Sequence, residues 1–573
     1  MSAPLQAGAK LAANGLDADV SAPGGAQALP KRPDRGEEIE LHIDSLAHGG
    51  EGVGRLTLTG TPHDGGQAGG SGGYVVFVSG ALPGDRVRAV IVKRKRSYAH
   101  ARMVEILEES PERIAPTAKH PGVAWQVLPY ERQLQIKREQ VDDALRRIGK
   151  LDGFELEEIV PAVAQWRYRN KLEYSFGKAP DGELVCGFHA PAGWNMVEPI
   201  DDCLLASETG NRAREAALRW CRAQELLAWS RGGRPGGGRA RHLEHDDTGV
   251  AHEDAPAAPE PDREAGGHGR SEGAPRQTRE QRTGPAPDGR PFLRNLVVRE
   301  GRHSGMLQIR LVTTDGELDV PAFAAALVAE LGEKRVSGVL WTRSSSLAET
   351  TMGGETELVW GEAELPERLA CPGLGGELDL RISSEAFFQT NTEMAEALYG
   401  VVADYAALEG WERVYDLYSG IGTIALTLAP RAGELWGIEI VEQAVADAIA
   451  AAKRNEVTSA HFFAGDARLA LPELIERAGK PDVVVVDPPR AGLSQKVVRR
   501  IVEASPKRIV YVSCNPTTLA PNAAQLVEAG WRLVRVRPVD MFPQTPHIEC
   551  VAVLERADGR RLSASSPTRE PST

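Results

Sequence analysis

Three side chains that could carry out covalent chemistry stand at the edges of apolar runs near the C-terminus. Cys514 follows the strand-like RIVYV, Asp487 follows four valines, and Glu549 directly precedes CVAVL. A lone cysteine on an apolar strand is usually a small buried hydrophobe, but a thiolate that leaves a sheet at its ligand-binding edge can be a nucleophile. A carboxylate at a buried strand end is costly unless it binds something. The pattern predicts Cys514 as a nucleophile, with Glu549 and His547 as candidate bases.

A glycine-rich turn predicts a cofactor site at the same edge. The string DLYSGIGTIAL, residues 416–426, ends a strand with Gly420 and Gly422 and begins a helix, so that a ligand can approach the backbone. Because Ala425 follows, the string also satisfies the degenerate dinucleotide fingerprint. Glu439 ends the next strand-like run, where it could accept hydrogen bonds from ribose hydroxyls. These residues alone leave open an NAD enzyme, another nucleotide-like cofactor, and a tight turn without a ligand.

Alternating strands and helices from about Ile382 onward predict the fold that positions these residues. The predicted strands are 414–419, 435–440, 461–465, 482–489, 508–514 and 550–555, and a helix is predicted over 441–455. This alternation indicates a doubly wound, Rossmann-like α/β sheet, in which ligands bind beyond the carboxyl ends of the strands. Every candidate site residue named so far lies at such an end.

The N-terminal region has a different pattern. Between about Glu38 and Glu108, apolar residues alternate with period two and are punctuated by Gly and Pro, which predicts a small antiparallel β-barrel with a long hairpin loop between Thr59 and Gly73. Four consecutive cations, Lys93 to Arg96, follow an apolar run. A solvated strand end would explain them alone, but basic rims are typical of oligonucleotide-binding barrels.

The middle of the chain is predicted to be a mixed α+β domain. A helix is predicted over 130–149, strands over 168–177 and 183–189, and a hairpin over 295–313. Polar, Gly-rich and Pro-rich stretches indicate disorder at both ends and in one insertion. The predicted organisation is a disordered tail at 1–36, a barrel at 37–108, a central domain at 109–380 with a disordered insertion at 228–292, a ligand-binding α/β domain at 381–557, and a disordered tail at 558–573.

Composition restricts the class of protein. Six cysteines without paired spacing do not indicate a disulfide framework, so a reducing compartment is expected. The sequence has no apolar run of roughly 20 residues and no apolar signal-peptide core at its start, which predicts a soluble cytoplasmic protein without a membrane partner. A net charge of -13 argues against nucleic-acid binding by bulk charge, so local patches would have to supply it.

The motifs together resemble those of RNA uracil-5-methyltransferases of the RumA/TrmA type. The resemblance rests on FFQTN at 387–391, on DLYSGIG, GIE, DPPR and SCNP, and on HIE at 547–549. The barrel resembles the TRAM domain that family members acting on ribosomal RNA often carry and that the tRNA-specific branch lacks. The resemblance therefore implies methylation of 23S rRNA, with tRNA as the alternative substrate. We separately expect a monomer.

The resemblance also implies roles for individual residues. S-adenosylmethionine would be contacted by Gln389, Tyr418, Glu439 and Asp487, with Gly420, Gly422 and Asp466 as further cofactor contacts. Cys514 would add to carbon 6 of uracil, carbon 5 would take the methyl group, and Glu549 would remove the carbon 5 proton. Arg490 stands where methyltransferases that modify exocyclic amines have an aromatic residue, which makes an amine target less favourable.

One departure from the family concerns an iron-sulfur cluster. Many relatives hold one through cysteines just before the helix that begins here near Tyr130, but the stretch PTAKHPGVAWQVLPY contains none. Cys203 could be a remnant of the fourth ligand, and one thiol cannot hold a cluster. We therefore expect no iron-sulfur cluster and no other metal, with His120 and Trp125 packing in its place.

Two other classes of function remain as alternatives. The first is a nonenzymatic RNA-binding assembly factor on a methyltransferase scaffold, although such a scaffold need not keep Cys514, Asp487 and Glu549 together. The second is an NAD-dependent oxidoreductase, which would leave SCNP and the barrel unexplained.

Overall fold

The computed structural model describes residues 32–57, 73–190, 193–230, 284–286, 288–348, 350–371 and 376–557. Most of the predicted hairpin loop at 59–73, most of both tails and the middle of the insertion therefore lie outside the described residues. Contacts divide the chain into two compact units. One contains Met1–Leu46 and Glu51–Ser110, and the other contains Ala47–Gly50 and Pro111–Thr573.

The first unit is a closed five-stranded barrel. Its strands are β1 (Glu38–Leu46), β2 (Gly52–Leu56), β3 (Tyr74–Ser79), β4 (Arg86–Arg94) and β5 (Tyr98–Glu108), in the order β1-β2-β3-β5-β4. Period-two alternation places Val76, Val78, Val87 and Ala89 in its interior. The expectation of a wholly antiparallel barrel is wrong for one pair, because β5 closes the barrel by running parallel to β3.

The second unit contains a seven-stranded sheet with the order β13-β12-β11-β10-β7-β8-β9. Its strands are β7 (Lys171–Lys178), β8 (Leu184–Ala190), β9 (Gly193–Pro199), β10 (Leu293–Glu300), β11 (Leu307–Thr313), β12 (Val336–Arg343) and β13 (Glu355–Gly361). Helices α2 (Glu208–Ala223) and α3 (Val320–Leu331) pack against each other and against this sheet. The predicted strands and hairpin of the central domain are present.

Residues at both ends of the predicted insertion 228–292 form regular contacts where the structure describes them. Ala228 forms a bridge with Leu293, and the Trp229 amide donates to the Leu293 carbonyl at 2.8 Å. Ala286 donates its amide to the carbonyl of Arg290 at 2.7 Å. Residues 231–283 lie outside the described residues.

The second unit also contains the predicted α/β sheet, with eight strands in the order β18-β17-β16-β19-β20-β22-β21-β6. The strands are β6 (Glu155–Leu156), β16 (Arg413–Leu417), β17 (Glu434–Glu439), β18 (Ala460–Ala464), β19 (Val483–Val486), β20 (Arg508–Ser513), β21 (Trp531–Val539) and β22 (Glu549–Arg556). Strands β16 to β20 are mutually parallel, and β22 is antiparallel to β20 and β21. All six predicted strands are present.

Helices cover both faces of this sheet, as the doubly wound prediction requires. They are α4 (Thr392–Ala406), α5 (Thr423–Leu428), α6 (Glu442–Arg454), α7 (Ala467–Ala478), α8 (Gln495–Ala504) and α9 (Pro516–Glu528). The four valines of β19 show that both faces of the sheet are buried under helices. Val483 and Val485 lie in the core beneath α4 and α6, whereas Val484 and Val486 lie in the core beneath α7, α8 and α9.

Two segments assigned to the central domain by sequence pack with the α/β sheet instead. Helix α1 (Tyr130–Asp143) continues into a π-helical turn, Ala144–Ile148, whose Leu145 lies in the sheet's core, and β6 pairs with β21. Strands β14 (Leu365–Leu369) and β15 (Leu378–Ile382) form a two-stranded sheet in the core on the opposite face, beneath α4 and α6. The pattern of apolar residues predicts helices and strands, but it does not show which part of the protein packs against them. Among the described helices, none is long and apolar enough to span a membrane.

Candidate active site

The antiparallel pairing of β20 and β22 places the predicted nucleophile and base side by side. Ser513 is paired with Cys550, so the next position of the same register puts Cys514 opposite Glu549. Adjacent residues of a strand point to opposite faces. Cys550 accordingly lies in the core, with its Sγ 3.5 Å from the Ser513 carbonyl oxygen, which agrees with the predicted packing role.

Cys514 stands at the junction between β20 and α9. The Asn515 side chain accepts from the Thr517 amide at 3.0 Å and caps the helix, and Pro516 occupies its first turn. The Ser513 hydroxyl accepts from the Asn515 amide at 3.1 Å and fixes the turn. The structure describes all six cysteines, and five of them are buried while Cys514 is partly exposed. The predicted nucleophile is therefore the accessible thiol.

The electrostatics around Cys514 favour protonated groups in the free protein. Burial, together with Asp487, raises the pKa of Glu549 well above its usual range, and burial raises the pKa of Asp487 to about 7. Burial and these two acids raise the pKa of the Cys514 thiol to about 12, while Arg490 acts in the opposite direction. Carboxyls with raised pKa values at a strand edge are suited to proton transfer near neutral pH.

The glycine turn after β16 has the form predicted for a cofactor cradle. Tyr418 and Gly420 adopt positive φ angles of 68° and 53°, and a Cβ on Gly420 would meet no atom within 4 Å. Gly422, at φ 81°, is tightly packed, because a Cβ there would lie 2.8 Å from the Phe462 ring. The first glycine leaves space for a ligand, and the second lets the helix pack closely.

The carboxylate of Glu439 organises the same turn. It accepts from the amides of Gly420 at 3.1 Å, Ile440 at 2.8 Å and Val441 at 2.9 Å. These bonds hold both carboxylate oxygens at the end of β17, and each oxygen retains acceptor capacity for a ribose hydroxyl. Asp466, at the end of β18, caps α7 and pairs with Arg468, which lowers the pKa of that carboxyl.

Gln389 comes from a different part of the chain and is held by backbone contacts. Its carbonyl oxygen accepts from the Asn170 amide nitrogen Nδ2 at 2.8 Å. Asn391 caps α4 and donates from Nδ2 to the Met541 carbonyl at 2.9 Å. The Gln389 side chain is buried. Two turns into α4, the Tyr399 hydroxyl accepts from the Thr423 hydroxyl at 3.0 Å, beside the glycine turn. The open glycine turn and the Glu439 carboxylate fit a cofactor that carries a ribose.

The stretch 116–130, which has no cysteine, is packed by other residues. His120 Nε2 lies 3.2 Å from Cys203 Sγ, and Trp125 is buried. Within the described part of the chain, no group of three or more His, Cys, Asp or Glu residues is placed to hold a metal ion. The residues present do not fit a cysteine-ligated cluster.

The sequence analysis missed one contact that joins the two sides of the site. Arg490 Nη2 lies 2.9 Å from His547 Nδ1, and Arg490 affects the titration of Cys514 and Glu549. Burial and Arg490 lower the pKa of His547 to about 3, so its neutral imidazole is a weak proton acceptor. Glu549, whose pKa is raised, is the stronger of the two predicted candidate bases. The position of Arg490 directly after Asp-Pro-Pro was the available signal.

Comparisons with known proteins give the family. Residues 365–557 match the model of the tRNA (uracil-5-)-methyltransferase family, and residues 33–104 match the TRAM domain. A protein of Chlorobaculum tepidum named as an uncharacterized RNA methyltransferase is 33% identical over 548 residues, which cover 91% of this chain and 97% of that relative. The chain belongs to the RNA uracil-5-methyltransferase family.

Further relatives extend this assignment. An RNA methyltransferase of Halalkalibacterium halodurans is 31% identical over 91% of this chain and 97% of its own length. The crystal structure of the Pyrococcus abyssi tRNA (uracil-54, C5)-methyltransferase with S-adenosyl-L-homocysteine has a TM-score of 0.62 and 25% identity, and the match covers 90% of this chain and 100% of that one. As a member of this family, the protein is an S-adenosylmethionine-dependent RNA methyltransferase with a TRAM barrel.

Proposed function

We propose that this protein methylates carbon 5 of a uridine in RNA through a covalent adduct between Cys514 and carbon 6 of the base. The observation that carries the proposal is the register of β20 and β22, which sets the accessible Cys514 thiol opposite Glu549. Carbon 5 of uracil is a weak nucleophile until a thiolate adds to carbon 6, and the adduct then needs a base. A thiol and a carboxyl side by side supply both groups.

The roles of the chain's own residues follow from this geometry. When bound, S-adenosylmethionine supplies an electrophilic methyl group. Gln389, Tyr418, Glu439 and Asp487 are proposed to hold it at the strand ends, with Asp466 on the side of its adenine. The turn at Gly420 provides the space. Glu549 is proposed to take the carbon 5 proton, after which the bond to Cys514 breaks and 5-methyluridine is released. The target base has to leave its stack to reach Cys514.

The proposed substrate is 23S rRNA. Supporting this choice, the TRAM barrel carries exposed cations at its β4–β5 turn, whereas the whole chain has a net charge of -13. Recognition would then depend on local contacts in a structured RNA rather than on bulk charge. A tRNA substrate is the second candidate, because the Pyrococcus abyssi structure with a TM-score of 0.62 is that of a tRNA uracil-54 methyltransferase.

One assay separates these proposals. The full-length protein is incubated with methyl-labelled S-adenosylmethionine and either unmodified 23S rRNA or unmodified tRNA, and the RNA is digested to nucleosides. We expect labelled 5-methyluridine from 23S rRNA only, and none with Cys514→Ala. Cys550→Ala, which changes a buried thiol in the neighbouring strand, should retain activity. Label in another nucleoside, or activity that survives in Cys514→Ala, would contradict the covalent mechanism.

The same assay addresses a nonenzymatic role. If neither RNA is methylated while the protein still binds S-adenosylmethionine, an RNA-binding assembly function becomes the better explanation. Release of tritium from carbon-5-labelled uridine is an independent readout, because exchange requires addition at carbon 6 but no completed methyl transfer.

A further inference from the structure

The thiol of Cys514 has to become a negatively charged thiolate before it can add to the base, and neither Cys514 nor Glu549 stabilises that charge. Addition to uracil requires a thiolate, yet burial and the neighbouring Asp487 and Glu549 raise the pKa of this thiol to about 12. The negative charge then moves from sulfur to a carbonyl oxygen of the base. A fixed positive group near both positions would stabilise the charge before and after the addition.

Arg490 is fixed at both of its ends in a position to do this. Its backbone carbonyl accepts from Asn515 Nδ2 and from the Thr518 hydroxyl, each at 3.1 Å. Asn515 directly follows Cys514, and Thr518 lies in the first turn of α9. Its side-chain Nη2 lies 2.9 Å from Nδ1 of His547, two residues before Glu549. The arginine therefore joins the segment that carries the nucleophile to the segment that carries the base.

The partner of Arg490 orients it without cancelling its charge. Since a guanidinium is always a donor, the contact requires His547 to present the lone pair of Nδ1 and to carry its proton on Nε2. Burial, followed by Arg490, Arg169, Lys137 and His48, lowers the pKa of His547 to about 3. A carboxylate in the same place would neutralise the guanidinium, whereas a neutral imidazole leaves the full positive charge available.

We propose that Arg490 is a catalytic residue that stabilises the negative charge as it passes from Cys514 to the carbonyl oxygen of the uracil, and that His547 is the positioning residue that aims it. This inference rests on the proposed function, because it assumes that Cys514 adds to carbon 6. It assigns to the arginine of the Asp-Pro-Pro-Arg turn a task on the substrate that is separate from cofactor binding.

The electrons balance as follows during the addition. Cys514 first loses its proton to water. The thiolate sulfur then forms a bond to carbon 6, the carbon 5–carbon 6 π pair moves between carbons 4 and 5, and the carbonyl π pair moves onto oxygen 4. One unit of negative charge thus moves from sulfur to oxygen 4. There an N–H group of Arg490 donates a hydrogen bond that stabilises it. The pair on oxygen 4 then re-forms the carbonyl, the carbon 4–carbon 5 pair bonds to the methyl carbon, and the pair of the broken methyl–sulfur bond stays on the donor's sulfur. Glu549 finally accepts the carbon 5 proton, the carbon 5–hydrogen pair re-forms the carbon 5–carbon 6 π bond, and the carbon 6–sulfur pair returns to Cys514.

The first half of the proposal is tested without RNA. Cys514 is the accessible cysteine among six, so its alkylation by iodoacetamide is followed by mass spectrometry over a range of pH in the full-length protein. Arg490→Gln should displace the rate profile by about one pH unit toward alkaline values, which is about a tenfold slower reaction at fixed pH. Arg490→Lys, which keeps the charge, should show a smaller displacement.

Arg532→Gln, at an exposed site on β21, is the control and should match wild type. Equal profiles for Arg490→Gln and wild type would overturn this half.

The second half is tested by methyl transfer under saturating S-adenosylmethionine. Arg490→Gln should lower kcat by about 100-fold with little change in KM, as expected for a donor that acts mainly in the transition state. His547→Asn retains an acceptor near the Nδ1 position and should stay within about threefold of wild type, whereas His547→Leu should lose about tenfold in kcat. Equal losses in these two variants would overturn the positioning role.

The outcomes also separate this inference from the proposed function. If the wild-type protein methylates no uridine, the proposed function fails, while the alkylation profiles still report whether Arg490 stabilises the thiolate. If wild type makes 5-methyluridine and Arg490→Gln keeps both its kcat and its alkylation profile, the inference fails alone. Thermal unfolding of each variant establishes that a loss of activity does not arise from a loss of fold.

Discussion

At the scale of single residues, the site combines buried acids with one guanidinium, and this arrangement has a pH signature. The pKa of the Cys514 thiol is raised to about 12, and that of Glu549 is raised well above its usual range. Both groups have to lose a proton before they can act, and a raised pKa keeps each protonated to higher pH. We therefore expect kcat/KM to increase continuously from about pH 6 to about pH 9.

This profile is measured as initial rates of 5-methyluridine formation at several pH values, with unfolding checked at each. Because the pKa of His547 is lowered to about 3, titration of this histidine should add no step to the profile near neutral pH. A bell-shaped profile with an optimum below pH 7 would contradict the assignment of Cys514 and Glu549 as groups that act deprotonated.

Asp487 gives a second residue-scale prediction, on stability. Its pKa in the folded protein is about 7, raised by burial from 3.8. A raised folded pKa gives stability that is fully present below the unfolded value and is lost as pH rises through about 7. Asp487→Asn cannot ionise, so its Tm should equal that of wild type near pH 4 and exceed it by about 3 °C or more near pH 8.5. Identical Tm differences at the two pH values would contradict the raised pKa.

At the scale of elements, the sequence predicted the α/β sheet well and the burial of α1 poorly. The valine run of β19 and the glycines after β16 are local signals, and the strands formed where they were expected. Strand β21 was not predicted, because its alternating arginines resemble a polar segment. In α1 the predicted apolar face is joined by the buried polar side chains of Gln133 and Lys137. Their partners lie about 400 residues away in sequence, so no local pattern can reveal them.

The partners of these side chains belong to the loop that leads into β22. Lys137 Nζ lies 2.5 Å from Asp540 Oδ1 and donates to the Phe542 carbonyl at 3.0 Å. The Tyr130 hydroxyl donates to the other oxygen of Asp540 at 2.8 Å, and Gln133 donates to Gln544 at 2.8 Å. Helix α1 therefore fixes the loop that carries His547 and delivers Glu549 to the site.

The buried ion pair Lys137–Asp540 gives an element-scale prediction. Lys137→Met leaves a fully buried carboxylate without its cation and should lower the free energy of unfolding by about 3–5 kcal/mol. The double variant Lys137→Met/Asp540→Leu removes both charges and should recover part of this loss. Arg147→Met is the matched control. It breaks an exposed pair, at 3.3 Å from Asp143, and should change stability by less than about 1 kcal/mol.

These free energies are measured by denaturant unfolding at neutral pH. A loss below about 1 kcal/mol for Lys137→Met would show that the pair does not hold the loop. Activity is informative as well, because a loosened loop misplaces Glu549. The single variant should therefore lose kcat at temperatures where it is still folded.

At the scale of the whole molecule, an acidic chain has to bind an acidic polymer. The net charge is -13, and within the barrel several arginines are already compensated. Arg86 and Arg88 on β4 pair with Glu40 at 3.1 Å each, and Arg88 also pairs with Glu105 at 2.6 Å. By contrast, Lys95 and Arg96 are exposed at the β4–β5 turn, whose backbone is fixed by bonds from the Tyr74 hydroxyl to the carbonyls of Lys95 and Tyr98.

Exposed positive charge at a fixed turn predicts a measurable contribution to RNA binding. Each phosphate contact on single-stranded RNA adds about 0.7 to the slope of log affinity against log salt concentration. The variant Lys95→Ala/Arg96→Ala should therefore reduce this slope by about 1.4 and weaken binding most at low salt. Arg88→Ala on the adjoining strand removes an arginine that is already paired and should leave the slope unchanged. Equal slopes for wild type and the double variant would show that RNA is held elsewhere, whereas an equal reduction in Arg88→Ala would mean that total charge, rather than its exposure at the turn, controls binding.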